Sequence, residues 1–328
     1  MKGSSQGSEE SQGCDVSIIV VNYNTAHLLE EMFGAVEAAV GDLSVQKVVV
    51  DNASRDGSAA LLRQRYPDVE LIANSENVGF GRANNQALAL ARGRYLLLLN
   101  TDAFVGAGGI KRTVRYLDAN PDVTALGVRL VGRDGVLQPS CRTFPTPWNE
   151  FLVRTGLDRV FRHTRLVDDM RWDHASVREC DWVPGCYLLL RRSVIDRIGL
   201  FDPRFFLYYE EVDHCRAEKA NGGKVVYFPD TTVVHIGGES AKSDSELTAG
   251  GRQISALQIE SALLYYRKHH GLGGLWLGIL LTAVGDALLA TKWVLKHLSW
   301  RGAGAYLDHF ATTWSLLRRT AWARRPTR

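Results

Sequence analysis

Four short apolar runs, each ending in or followed by Asn or Asp, constrain this chain more than any other feature. They are VSIIVVN at 16–22, KVVVD at 47–51, VELIA at 69–73 and RYLLLLN at 94–100. Amphipathic stretches of helical length separate them, at 26–40, 57–66 and 81–92. Nearly continuous apolar strands alternating with helices predict a parallel sheet covered on both faces, joined by right-handed crossovers. Ligands of such sheets sit beyond the carboxyl ends of the strands. At those ends the sequence places Asn22-Tyr23-Asn24-Thr25, Asp51-Asn52-Ala53-Ser54, Asn74-Ser75-Glu76-Asn77 and Asn100-Thr101-Asp102. Asn, Asp and Ser also cap helices and make turns. Four such clusters on one rim predict a polar ligand crevice.

Three further elements carry chemistry. Asp102 closes an apolar strand, where a carboxylate can hold a divalent cation against a diphosphate. In FFLYYEEVDHC at 205–215, Glu210, Glu211 and Asp213 cluster at the start of a helix. Acidic residues there compensate the helix dipole, and one facing a cleft could act as a general base, aided by a neighbouring carboxylate that raises its pKa. His235 ends the apolar run of VVHIGGES at 233–240 and is either a packed structural histidine or a metal ligand. Between these lie an irregular segment at 140–180, expected to cover the sheet or shape an acceptor cleft, a strand at 185–192 and a short helix at 193–199 ended by Gly199. A helix at 210–221 and a strand at 224–228 follow. The Gly/Ser-rich stretch 237–251 has the length of a lid or a disordered loop.

Taken in order, VSIIVVNYNT (16–25), VVVDNASRDGS (48–58), NVGFGRANNQAL (77–88), YLLLLNTDA (95–103), WVPGCYLLLRRSVIDRIGLFD (182–202), FFLYYEEVDHC (205–215) and GGKVVYFPDTTVVHIGGES (222–240) resemble the family 2 inverting glycosyltransferases. Within that family the chain looks most like the rhamnosyltransferases that use dTDP-L-rhamnose. The resemblance implies the GT-A fold: an α/β architecture with a mainly parallel central sheet flanked by helices, here with a C-terminal helical appendage. It implies a nucleotide-sugar donor, dTDP-L-rhamnose or a UDP-sugar, and a divalent cation, Mg²⁺ or Mn²⁺. It also implies a saccharide or lipid-linked acceptor in cell-wall or surface polysaccharide synthesis. Position by position, it puts Asn22, Tyr23, Asn24 and Asp51 at the base and ribose. Asn77, Gly79, Arg82 and Asn84 fall near the nucleotide or sugar. Asn100, Thr101 and Asp102 form the DxD-like triplet, Asp102 and His235 are metal ligands, and Glu211 is the base with Glu210 before it. Two departures stand out. Asn100 replaces the first acid of the triplet, which removes a negative charge from the metal site. Glu211 replaces the commoner aspartate, which leaves the base open among Glu210, Glu211 and Asp213.

Composition bounds the rest. With 328 residues, 45% hydrophobic and 23% charged, the chain is globular. We divide it into a disordered tail (1–14), a catalytic domain (15–270) and an amphipathic, basic helical region (271–328). Residues 291–328 hold eight basic side chains and one acid, so they carry +7 of a net +3 and the first 290 residues carry −4. Such a tail suits an anionic membrane surface better than nucleic acid. The longest uncharged run, 271–285, is too short to span a bilayer. On a helical wheel Asp286, Lys292, Lys296 and His297 share one arc, with Trp276, Leu280, Val284, Val294, Leu295 and Leu298 opposite. This predicts an interfacial helix, or else a hairpin packed on the core or at a homodimer contact. The N-terminus lacks an apolar segment, so a cytoplasmic enzyme, peripheral on the inner membrane face, is expected. Five scattered cysteines without a CxxC point to reduced thiols. Two other classes remain: an oxidoreductase built on GFGRAN at 79–84, an imperfect GxGxxG, and a non-catalytic membrane-binding module.

Overall fold

The computed structural model describes residues 13–237, 252–298, 300 and 302–328. The four apolar runs become β1 (Val16–Asn22), β2 (Val45–Asp51), β3 (Glu70–Ala73) and β4 (Tyr95–Asn100). β1 pairs in parallel with β2 and β4, and β2 with β3. Helices α1 (Ala26–Val40), α2 (Ser58–Arg65) and α3 (Phe80–Leu88) make the crossovers. Successive side chains of a strand point to opposite faces, and both faces of β1 are buried. Ile18 and Val20 join one apolar cluster with Leu29, Met32 and Phe33 of α1, whereas Ile19 joins the other with Ala83 and Ala87 of α3. That two-sided burial explains why these strands read as continuous apolar runs.

The chain continues through β5 (Ala103–Val105), β6 (Val123–Val131), β7 (Leu137–Gln138), β8 (Arg178–Cys180), β9 (Tyr187–Arg191) and β10 (Lys224–His235). In the sheet the order is β3-β2-β1-β4-β9-β6-β10-β5, with β7 beside β6 and β8 beside β10. β9 lies antiparallel between β4 and β6. The sheet is therefore parallel through its first four strands and mixed beyond them. Helices α4 (Gly109–Ala119), α5 (Pro147–Thr155), α6 (Arg192–Ile198) and α7 (Glu210–Ala220) complete the body. α8 (Arg252–His297) and α9 (Gly304–Arg319) follow. None of the five cysteines is in a disulfide.

The oxidoreductase reading finds no phosphate cradle. GFGRAN opens α3, and the Phe80 N–H that would face a phosphate donates to the Phe206 carbonyl at 2.8 Å. Gly79 stands at φ +89°, and a Cβ there would lie 2.5 Å from that same oxygen. The glycine serves a close approach of two protein segments.

The C-terminal helices depart from the sequence expectation. α8 kinks at Gly271, at φ +66°. Its second half packs on α5 and α9, with Gly278 admitting the Tyr266 ring. Asp286 does not face water. It is buried, ion-paired with Arg154 of α5 and with His309 of α9 at 2.9 Å. Exposed instead are Trp276, Leu277, Leu280, Val284 and Leu288, a continuous apolar stripe. The expectation of too short an apolar segment is also revised. Among the described residues one helical stretch, Ala256–His297, is long and apolar enough to cross a membrane by length and composition. Residues 1–12 of the expected tail and 238–251 of the expected lid or disordered loop lie outside the described residues.

Candidate active site

β1, β2 and β4 end level with one another, Asn22 beside Asp51 and Val21 beside Asn100. Beyond them lies a crevice of about 360 Å³. Tyr23, Asn77, Asn100, Thr101, Asp102, Glu210, Glu211 and His235 all line it. They come from five separate stretches of chain, and the fold brings them to one rim.

Asp102 and His235 form one wall. β10 runs antiparallel to β5, which sets Ala103 opposite His235 and so brings Asp102 alongside it. His235 Nε2 is 3.6 Å from Asp102 Oδ1. On its other side, His235 Nδ1 meets Gln138 Oε1 at 3.0 Å, and Gln138 Nε2 donates to the His235 carbonyl at 2.8 Å. With Oε1 accepting, Nδ1 carries the proton and Nε2 presents its lone pair to the crevice. Burial lowers the His235 pKa and Asp102 opposes that shift, so a neutral imidazole, the form that ligates metal, prevails near pH 7. The Gly237 N–H donates to Asp102 Oδ2 at 3.0 Å. Among the described residues no third His, Cys, Asp or Glu joins this pair.

Glu210 and Glu211 line the same crevice from the first turn of α7. Two consecutive non-glycine residues, Tyr208 at φ +72° and Tyr209 at φ +71°, turn the chain into that helix. Left-handed backbone at such residues costs on the order of 1–3 kcal/mol each and is concentrated at functional sites. Each glutamate has one buried oxygen, Oε2, without a hydrogen-bond partner among the described residues. Burial pushes Glu210 well above the usual carboxylate range, and the charge of Glu211 adds to it. Burial also raises Glu211, with Arg142 opposing.

Other sequence candidates stand away from the crevice lining. Asn22 and Asp51 hold each other, Nδ2 to Oδ2 at 2.7 Å, and are buried beneath the rim. Asn24 accepts the Arg55 N–H at 2.7 Å. Gly79 abuts Phe206, as above. Arg82 donates to the carbonyls of Pro203 and Arg328, each at 3.0 Å. Asn84 is buried within α3, donating to the Phe80 carbonyl at 2.9 Å. Asp213 is the clearest correction. Its carboxylate is engaged by Lys268 and His269 of α8, at 2.7 and 2.6 Å, so it has no approach to the crevice.

Two lining or supporting residues, Gln138 and Arg142, escaped sequence reasoning, which places Asn52 at the rim without a role. Asn52 braces the rim, donating to Asn77 Oδ1 at 2.8 Å and accepting from the Val78 N–H at 3.0 Å. Gln138 orients His235. Arg142 lies over the Trp182 ring, 4.2 Å from its centroid, and pairs with Asp168 at 2.5 Å. It also lines the crevice beside Glu211.

With this geometry in hand, residues 17–176 match the family described as glycosyl transferase family 2. The chain carries a family 2 glycosyltransferase domain. It is 28% identical over 251 residues to N-acetylglucosaminyl-diphospho-decaprenol L-rhamnosyltransferase of Mycobacterium tuberculosis, covering 69% of this chain and 78% of that one. It is 25% identical over 234 residues to rhamnosyltransferase WbbL of Escherichia coli, covering 67% and 83%. Among solved structures it is similar to the mannosyltransferase PcManGT from Pyrobaculum calidifontis in complex with GDP-Man and Mn²⁺. That match has a TM-score of 0.54 at 20% identity and covers 96% of this chain and 89% of that one. S. aureus TarS 1–349 gives a TM-score of 0.50 at 15% identity, covering 93% and 91%. The fold is GT-A, and the family 2 match lies within it, at residues 17–176.

Proposed function

We propose that this glycosyltransferase moves L-rhamnose from dTDP-L-rhamnose, with inversion, onto a hydroxyl of a polyprenyl-diphosphate-linked saccharide. The observation that carries this reading is the meeting of Asp102, His235 and Glu211 around one crevice at the strand ends. The names of the two rhamnosyltransferase relatives support the transferred sugar, and that of the Mycobacterium tuberculosis relative supports a diphospho-polyprenol-linked acceptor.

In this mechanism the nucleoside diphosphate lies along the rim, with Tyr23 and Asn77 beside the nucleoside. Asp102 and His235 would hold a divalent cation, offering it one oxygen and one nitrogen. This donor set suits Mg²⁺ or Mn²⁺. When bound, the cation offsets the charge developing on the leaving diphosphate. Asn100, being neutral, leaves more of that binding to the phosphates. Glu211 takes the proton from the acceptor hydroxyl as its oxygen attacks the anomeric carbon. The bond to the phosphate oxygen breaks in the same displacement, and no covalent sugar intermediate forms. Burial raises the Glu211 pKa, which brings its basicity nearer to neutral pH.

We further propose that the enzyme attaches peripherally to the anionic cytoplasmic face of a membrane. Supporting this, the exposed stripe of α8 (Leu280 is 59% exposed and Leu288 48%) runs toward Lys292 and Lys296. Apolar surface flanked by cations suits an interfacial helix. The other side of the same helix is committed to protein through Asp286.

A panel of dTDP-, UDP- and GDP-sugars, screened with Mn²⁺ or Mg²⁺ by saturation-transfer NMR and slow donor hydrolysis, tests the donor assignment. Preference for dTDP-L-rhamnose is expected. Selective turnover of a UDP-sugar would replace the rhamnosyl reading.

A further inference from the structure

A second cavity, of about 460 Å³, adjoins the donor crevice. Arg142, Tyr208 and Glu211 line both spaces, so the two meet at the proposed base. Most of the remaining wall comes from α5 and the C-terminal helices, with Val167, Trp182 and Val212 among the rest. We propose that this cavity seats the saccharide of an amphiphilic, lipid-linked acceptor, and that Glu150, held between Tyr209 and Tyr266, reads its hydroxyl groups. This rests on the glycosyl-transfer reading above and names where that reaction's second substrate binds.

Geometry gives the first support. In a single displacement the nucleophile enters opposite the leaving group, so the acceptor needs its own space that reaches the base from outside the donor crevice. This cavity supplies one, and its volume falls within the roughly 300–1,000 Å³ of small-ligand sites.

Chemistry gives the second. Tyr209 Oη donates to Glu150 Oε1 at 2.8 Å, and Tyr266 Oη donates to Oε2. Burial raises the Glu150 pKa and the two phenols oppose that shift; with about four acceptor sites on a carboxylate, each oxygen keeps capacity for a further donor. A carboxylate fixed in this way by two phenols is built to accept from neighbouring hydroxyls of a sugar ring. Trp182 and Tyr208, also on the wall, add flat apolar surface.

The third support is the wall toward α8. Gly278, Ile279 and Thr282 line the cavity, whereas Leu277, Leu280 and Val284 of the same helix are exposed. One helix thus separates the saccharide space from the apolar stripe. A lipid chain leaving the cavity needs to pass only that helix to reach an apolar surface.

The test uses full-length protein, dTDP-L-rhamnose and a synthetic decyl-diphospho-N-acetylglucosamine as acceptor probe. Glu150→Gln and Tyr266→Phe should each raise the acceptor KM about tenfold or more, as expected for loss of a hydrogen bond to a charged group. Donor affinity and slow donor hydrolysis should stay within twofold of wild type. Thr282→Trp, which fills the cavity from α8 and leaves Glu150 unaltered, should raise the same KM and abolish saturation transfer to the probe. Unchanged acceptor KM in all three variants, with donor hydrolysis intact, would overturn this assignment alone. Absence of binding or hydrolysis of any nucleotide sugar by wild type would instead overturn the transfer reading, and this one with it.

Discussion

Replacing Glu211 with Gln keeps the size and shape of the side chain and removes its ability to accept a proton. Glu211 Oε2 is buried without a hydrogen-bond partner among the described residues, and neither Asp102 nor His235 is bonded to it. The substitution therefore leaves the cation and diphosphate contacts in place and acts on proton transfer alone. General-base catalysis contributes about 10²–10⁴-fold, so kcat should fall by about 10³, or about 4 kcal/mol at 1.36 kcal/mol per tenfold. Donor affinity should stay near wild type. The pH profile carries the sharper signature. A base works deprotonated, and burial raises the Glu211 pKa above its usual 4.5. Wild-type activity should accordingly rise with pH through an apparent pKa above that value and be lost on acidification. In Glu211→Gln that limb should vanish. Initial rates across pH, with donor binding measured in parallel, make the assay. A variant that turns over within threefold of wild type, or that loses donor binding in proportion to rate, would refute the assignment.

Three further outcomes follow from the same coordinates. Burial raises the Glu210 pKa well above 4.5, so its contribution to stability is full in acid and is lost as pH rises through the folded-state value. Glu210→Gln should therefore melt at a higher temperature than wild type in mildly alkaline buffer and show no such gain in acid, as read by calorimetry. Gln138→Ala removes the group that fixes the His235 ring and should weaken Mn²⁺ binding about 10–100-fold, as titrated with a nucleoside diphosphate present. Leu280→Glu with Leu288→Glu should cut affinity for anionic phospholipid vesicles at least about tenfold, given about 1.5–3 kcal/mol per buried leucine, while transfer to a short-chain acceptor persists.

Much of the rim was legible because local rules apply there. Strands buried on both faces read as apolar runs, and their parallel pairing puts Asn22, Asp51 and Asn100 at one level. The motif order then brought Asp102, Glu211 and His235 together from distant positions. Asp213 could not be set aside from periodicity, since it stands three residues past Glu210 and so near the same helix face; only the packing of the later helix shows Lys268 and His269 taking it. Arg142 and Gln138 were not legible. Arg142 lies in an irregular segment and Gln138 in a two-residue strand, and neither has a period that assigns it a face. Asp286 misled for a related reason. A lone acid on an apolar helix looks solvent-facing until its partners are known, and these stand on α5 and α9. The mixed half of the sheet was hidden likewise, because β9 reads as an ordinary apolar run whatever its direction.

The central claim is a single displacement at a sugar's anomeric carbon within this crevice. Proton NMR of the enzyme turning over dTDP-L-rhamnose with Mn²⁺ and a lipid-linked acceptor follows that carbon directly. Inversion gives a product glycoside whose anomeric configuration is opposite to that of the donor, formed without a lag or a trapped glycosyl-enzyme. A product that retains the donor configuration, or a covalent sugar adduct on the protein, would contradict it.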